Sequence, residues 1–423
     1  MKKIFKIIVA LAGVVILAAV TISMFITSGP NTSGKTVIQL FSTKTENAAT
    51  YKELIKKFEK ANPTIKVQLS SPSNAATVLK TDLAKNTLPD VMAVGGDTTF
   101  TSLQSSEGLR NLANESYAKK TLPAYRKMIT SLYSQKGLYA VPYATNASGI
   151  IYNKDLFKKA GISTTPKTWN ELIADAKLLK SKGIVPFESA YKDTWTTMAV
   201  WNQITSNSIP SSWITKRLKN QTTFAASHQQ VMSKFLEITS YSQSDYMGTS
   251  YNQANIDFAK GKVAMIVNGN YEIPAFTPLN SKINSDMFMM PISNNPAVNK
   301  VTSGVDVAFA IAKVSTHVSA DNKLVAFLME NKNAEIYNKE QFSFSAIKGV
   351  KQTSPLVAGI ADQVNKGNVI NYPDHYYPAS LDMTQVLTQA GLNAANHMAL
   401  NTNIAKSLKH ADSLFNAANV QEK

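Results

Sequence analysis

The chain has 423 residues, of which 44% are hydrophobic and 17% charged, with no cysteine and a formal net charge of +16. This length exceeds one ordinary core and the composition is globular, so two domains are expected, while disulfides, thiol catalysis, zinc–cysteine sites and lipid attachment through cysteine are excluded. The lysines are scattered along helical faces such as YKELIKKFEKA and form no long basic run, which points to solvated surface and an anionic envelope and away from nucleic acid.

Lys2, Lys3 and Lys6 precede an uncharged apolar run from Ile7 to Ile26. A basic start before a long apolar core marks a secretory signal or a membrane anchor, and this run could just span a bilayer. No clear small-x-small cleavage site follows, so a cleaved signal and a retained anchor both fit. In either case the basic flank stays inside and the body is expected on the extracellular face, tethered or secreted. Residues 1–35 are therefore assigned to export segment and linker. Gly29 to Thr36, GPNTSGKT, matches the phosphate-loop pattern. That pattern needs a helix after it, whereas TVIQLF reads as a strand, so a flexible linker is the better reading.

The body alternates strands and helices. TVIQLF (36–41) is a buried strand, and Tyr51, Leu54, Ile55 and Phe58 then mark one helix face, stopped at Asn62-Pro63. IKVQL (65–69), a helix over about 75–86 and DVMAV (90–94) continue the pattern. Such alternation predicts a parallel sheet with right-handed crossovers and ligands beyond the C-terminal strand ends. Ser42–Glu46 and Gly95–Asp97 are the loops at those ends, and plain turns are the alternative for both. Tyr139 to Pro142 is extended, ATNASG (144–149) is a small polar connection, and Ile150 to Tyr152 resume as a strand. Asp155 to Ala160 form a short helix ended by Gly161. Thr168 and Glu171 form a capping box for a helix that buries Trp169, Leu172, Ile173, Ala176 and Leu179. VAMIV leads into a loop at Asn268–Tyr271; MFMMPI (287–292) and VAFAIA (307–312) are buried strands, and about 380–418 is largely helical.

YKELIKKFEKANPTIKV, LPDVMAVGGD, YAVPYATNASGIIYNKDLF, PKTWNEL and FAKGKVAMIVNGNY, in this order, resemble the extracellular solute-binding proteins of bacterial ABC importers. The resemblance spans roughly residues 36–345 and is strongest to the carbohydrate-binding branch that includes maltose-binding protein. It implies an α/β fold of the two-lobed periplasmic-binding-protein type, with a ligand cleft and hinge between the lobes. The implied first lobe holds 36–144 and 293–331, and the second holds 145–292 and 332–423. The implied crossings lie near Tyr143–Asn146, Met289–Ile292 and Glu330–Lys332. Ligand binding would close the lobes.

A sugar presents hydroxyls around an apolar ring face, so its site needs flat aromatics and paired polar groups. By the resemblance, Lys44 and Glu46 follow the first strand at polar contact positions, and Asp97 ends the GGD turn at another. Asn146 stands at a family carboxylate position, and Tyr271 stands at the stacking tryptophan of an NG-x-W motif. Trp195 and Tyr376 fall near two further family aromatics, and Asp306 in SGVDVAFA could face the cleft. Each has a structural alternative: Trp195 and Trp201 as core, Asp97 as holder of its own turn, Lys44, Glu46 and Asn146 as solvated loop. Met287, Met289 and Met290 read as core filler.

The five histidines form no H-E-x-x-H or close ligand pair, and no G-x-S-x-G elbow is present. A glycosidase would need two carboxylates across a cleft, and the resemblance gives no role for such a pair, so it implies no enzyme, no cofactor and no metal. The expected partners are a small-molecule carbohydrate, ABC permease subunits and, if the N-terminal segment is retained, a membrane; the protein acts as a monomer. The alternatives are another small solute (polyamine, peptide or anion), or a surface glycan-active enzyme or adhesin.

Overall fold

The computed structural model describes residues 34–378 and 380–421. The expected export segment, Ile7–Ile26, lies outside the described residues, and among the described residues no helix is long and apolar enough to cross a membrane. Thr36 opens a strand, so the helix that a phosphate loop requires is missing after GPNTSGKT.

The strands, in chain order, are β1 (Thr36–Ser42), β2 (Ile65–Ser70), β3 (Val91–Val94), β4 (Val141–Thr145), β5 (Ser148–Asn153) and β6 (Val185–Glu188). They continue as β7 (Val263–Gly269), β8 (Ser285–Phe288), β9 (Val301–Thr302), β10 (Val305–Ile311), β11 (Phe344–Ser345) and β12 (Val369–Ile370). They form two sheets. The first has order β11-β4-β10-β3-β1-β2; the second has order β12-β9-β5-β7-β6, with β8 also paired to β5. β1 is parallel to β2 and β3, as the alternation of strand and helix predicts, and β10 returns antiparallel beside β3.

Local rules account for the elements. The helix Ala48–Ala61 buries Tyr51, Leu54, Ile55 and Phe58, each worth about 1.5–3 kcal/mol of burial. Thr168 Oγ1 accepts from the Glu171 amide at 3.2 Å, and Glu171 Oε2 accepts from the Thr168 amide at 3.2 Å, which completes the capping box. Gly161 ends its helix in the left-handed region at φ 89°, where a Cβ is costly. Along β5, Ile150 and Ile151 are both fully buried but join different apolar clusters, as the two-residue period of a strand buried on both faces requires. The C-terminal helices Met383–Ala395 and Leu400–Gln421 pack on each other in the second cluster, where Val386, Leu387, Leu408 and Phe415 meet Trp201. Trp201 is core, as are Met287 and Met290.

The chain passes between the sheets at three places. Asn146-Ala147 joins β4 to β5, Ser303-Gly304 joins β9 to β10, and 346–368 joins β11 to β12. The second and third lie later than the crossings expected near Met289–Ile292 and Glu330–Lys332. Met289–Ile292 follows β8 within the second sheet, and the apolar run MFMMPI is strand only as far as Phe288. Helix Asn331–Glu340 stays with the first sheet because Tyr337 packs between Tyr51 and Tyr143, at ring-centroid distances of 5.5 and 4.9 Å. By sheet membership 293–302 therefore goes with the second lobe and 332–345 with the first.

Candidate ligand-binding site

The C-terminal ends of β1 and β3 open onto a cavity of about 400 Å³ between the sheets. Lys44, Asp97, Asn146 and Asp306 line it together with Gly95, and His375 reaches it from beyond β12. Lys44 sits two residues past β1, where its Nζ meets Asp306 Oδ1 at 2.5 Å. Burial acts to lower the Lys44 pKa, but the carboxylates of Asp306, Glu46 and Asp97 together raise it above the ordinary value. The lysine is therefore charged and held by a partner, with 29% of its side chain still exposed.

Asp97 holds its own turn as well as lining the cavity. Its Oδ1 accepts from the Thr99 and Phe100 amides at 2.9 and 3.3 Å and caps the helix Thr98–Ser105. Asn146 lies in the first passage, where its side chain meets the second passage and the turn that follows β12. Its Oδ1 accepts from the Gly304 amide at 3.2 Å and from the Tyr372 hydroxyl at 3.1 Å, and its Nδ2 donates to Asp306 at 3.4 Å. Only a glycine fits at 304: a Cβ there would stand 2.8 Å from the Tyr372 ring and 3.2 Å from His375.

Tyr271 and Trp195 stand apart from this polar set. They are the two aromatic side chains more than a third exposed among the described residues, at 37% and 43%. Tyr271 follows β7 at the seam between lobes, next to Asn270, whose Oδ1 accepts from the Ala147 amide at 2.6 Å and whose Nδ2 donates to Phe342 O at 2.8 Å. The Trp195 ring leans on Tyr251 with centroids 5.0 Å apart. Tyr376 spans the lobes: its hydroxyl is 3.0 Å from Ser131 Oγ and accepts from Asn371 Nδ2 at 3.0 Å. It lines a second, adjoining groove of about 930 Å³ with Thr98, Thr101, Gln135 and Ser211. Glu46 is exposed and does not line the cavity; it acts on Lys44 through charge alone.

The structure thus gathers Lys44, Asp97, Asn146 and Asp306 in one cavity, with Tyr376 on the adjoining groove and Trp195 and Tyr271 on the second lobe. Sequence reasoning missed His375, Tyr372 and Tyr251. The run YPDHYY (372–377) was the available signal for the first two, since aromatics and a histidine cluster in a polar loop. Nothing in the sequence singled out Tyr251. Among the described residues no cluster of acidic or histidine side chains could hold a metal ion.

Similar proteins share this architecture. A multiple sugar-binding protein of Streptococcus mutans is 29% identical over 335 residues, covering 76% of this chain and 78% of that protein. The apo form of RafE from Streptococcus pneumoniae superposes with a TM-score of 0.79 at 24% identity, covering 91% of this chain and all (100%) of that one. The binding protein MsmE of Bacillus subtilis, in an open conformation, gives a TM-score of 0.77 at 19% identity, covering 91% and 98%. A sugar transporter of Bacillus licheniformis in complex with stachyose gives 0.67 at 21% identity, covering 89% and 100%. These likenesses establish a two-lobed solute-binding fold. Residues 42–335 match the bacterial extracellular solute-binding protein family, whose members are exported binding proteins, and the chain belongs to that family.

Proposed function

We propose that this chain is the substrate-binding component of an ABC importer, and that it captures an oligosaccharide between its lobes and delivers it to a membrane permease. The observation that carries this reading is a cavity lined by Lys44, Asp97, Asn146 and Asp306 in a chain whose second lobe exposes the rings of Trp195 and Tyr271. Flat apolar rings suit the face of a pyranose, and carboxylate, amide and ammonium groups suit its hydroxyls. The relative from Streptococcus mutans is named for sugar binding, and the Bacillus licheniformis neighbour holds stachyose. The cavity also favours a neutral solute over an anion or a polyamine, because the Lys44 charge is already matched by Asp306 at 2.5 Å. The protein binds without chemistry, acts as a monomer and meets permease subunits on the extracellular face, tethered through 7–26 if that segment is retained.

A thermal-shift screen with raffinose, stachyose, shorter sugars, polyamines, peptides and phosphate tests this. A ligand at 100 times its dissociation constant should add about 2.7 kcal/mol. A shift with a polyamine or phosphate and none with any sugar would overturn the carbohydrate reading. Chromatography of the same mixtures should return the sugars unchanged, and a single peak of monomer mass is expected on size exclusion.

A further inference from the structure

Beneath Trp195 and Tyr271 lies an acidic side chain that no ligand contact explains. Glu272 is 1% exposed and directly follows Tyr271. The Asn268 amide donates to its Oε2, and Tyr251 and Asn268 line one small cavity with it. Tyr251 is the ring on which Trp195 leans at 5.0 Å. The start of the Tyr251 helix is in turn tied to the Trp195 loop, because the Tyr251 amide donates to Asp193 Oδ2 at 2.6 Å. One buried carboxyl therefore shares a cavity with the ring that supports Trp195 and directly follows Tyr271 in the chain. This small cavity, of about 20 Å³, is lined also by Glu188, Thr196 and Asn268.

We propose that Glu272 is a positioning residue for the aromatic face, pinning Tyr251 and Asn268 so that Trp195 and Tyr271 keep the arrangement that receives the ligand. The proposal rests on the carbohydrate reading above, in which those two rings form the stacking surface. A carboxyl so placed works best uncharged, since a buried charge with only neutral neighbours is costly. Burial indeed pushes the Glu272 pKa up to about 8, against the lowering effect of the bonds from Asn255, Asn268 and Tyr251. Packing a sugar over Tyr271 and Trp195 removes more water from above the group and favours the protonated form further. By linkage, binding then takes up protons near pH 8 and weakens as pH rises, tenfold for each unit by which the ligand raises the pKa.

Other ionisable groups face the same region. From β6, Glu188 lines the cavity and is itself pushed up to about 8 by burial and by Asp257 and Asp245, with Lys262 opposing. Tyr251 comes from the helix Tyr251–Ala259, and Tyr271, from the same turn as Glu272, faces Asp374. Glu188 is the competitor that must be separated from Glu272.

The test uses the full chain in Glu272→Gln and Glu188→Gln forms. Tryptophan fluorescence is followed from about pH 6 to 9.5, and affinity for raffinose or stachyose is measured at both ends. The expected result is a fluorescence transition near pH 8 and weaker binding above it in the unaltered protein and in Glu188→Gln, both absent in Glu272→Gln. A transition that persists in Glu272→Gln, or disappears in Glu188→Gln instead, overturns the proposal. If Glu272→Gln fails to fold, titration of the Glu272 carboxyl in the unaltered protein by carbon-detected NMR replaces it, and an ordinary carboxylate pKa overturns the proposal. Absence of any sugar binding by the unaltered protein sinks the carbohydrate reading and unchanged sugar affinity in Tyr271→Ala sinks the stacking role of that ring, whereas the ligand-free fluorescence transition, compared between Glu272→Gln and Glu188→Gln, reports on Glu272.

Discussion

The first lobe offers Lys44, Asp97 and Asp306 at strand ends, held by ion pair and helix cap, whereas the second offers Trp195 and Tyr271 propped on buried side chains. The polar wall is held at its strand ends by the Lys44–Asp306 ion pair and the Asp97 helix cap. The aromatic wall is positioned by side chains, through Tyr251, Asn268 and Glu272. Its partial exposure is also what leaves it free to gain apolar contact when a ligand arrives.

The sharpest way to break this contrast uses two tryptophans of one stretch. Trp201 lies inside the helix Thr196–Ser208 and is fully buried, while Trp195 caps that helix and is exposed. Trp201→Ala should cost about 3–5 kcal/mol of stability in chemical denaturation. Trp195→Ala should leave the denaturation midpoint almost unchanged and weaken sugar binding in calorimetry. Equal stability losses would mean that Trp195 is core.

Next in size is an acid effect confined to the second lobe. His228 is packed against Trp201, Trp213 and Phe224, and burial lowers its pKa to about 3. The unfolded chain takes up a proton near pH 6.5 and the folded chain does not, so stability is full above that pH and falls as pH drops toward 3. The slope should approach about 1.4 kcal/mol per pH unit, read from denaturation midpoints across that window. His228→Phe should flatten the slope, and an unchanged slope would place the acid sensitivity elsewhere.

Two ligand-side substitutions sharpen the comparison further. Tyr271→Ala should weaken oligosaccharide binding by on the order of 2 kcal/mol, about thirtyfold, since it removes an exposed ring with little packing of its own. Asp306→Asn should have a smaller effect, about 1 kcal/mol, because Lys44 loses its charge partner but Asn146 retains a neighbour. Reversal of that order would mean that hydrogen bonding, and not stacking, dominates recognition.

Much of the scaffold could be read in advance. Thr168 with Glu171, Gly161 after its short helix, and the face of Tyr51, Leu54, Ile55 and Phe58 all depend on neighbours within about one or two helical turns. The polar half of the candidate site was legible for a related reason: in an α/β sheet the loop after a strand faces the ligand whatever the rest of the chain does. Later passages between the sheets were not legible. MFMMPI has the same apolar pattern whether it runs as strand or as irregular core, and only pairing with β5 ends the strand at Phe288.

By itself, then, the sequence determined the alternation of strands and helices, the family, and which short-range turns and caps are made, because those rest on chain neighbours and on motif order. Tertiary structure alone decided that Asn146, Gly304 and Tyr372 meet where the first two passages reach the turn after β12, that Tyr337 keeps 332–345 with the first sheet, and that Glu272 shares a cavity with the Tyr251 ring under Trp195. Those contacts join residues far apart in the chain, and their partners are chosen by packing and burial, which no local pattern encodes.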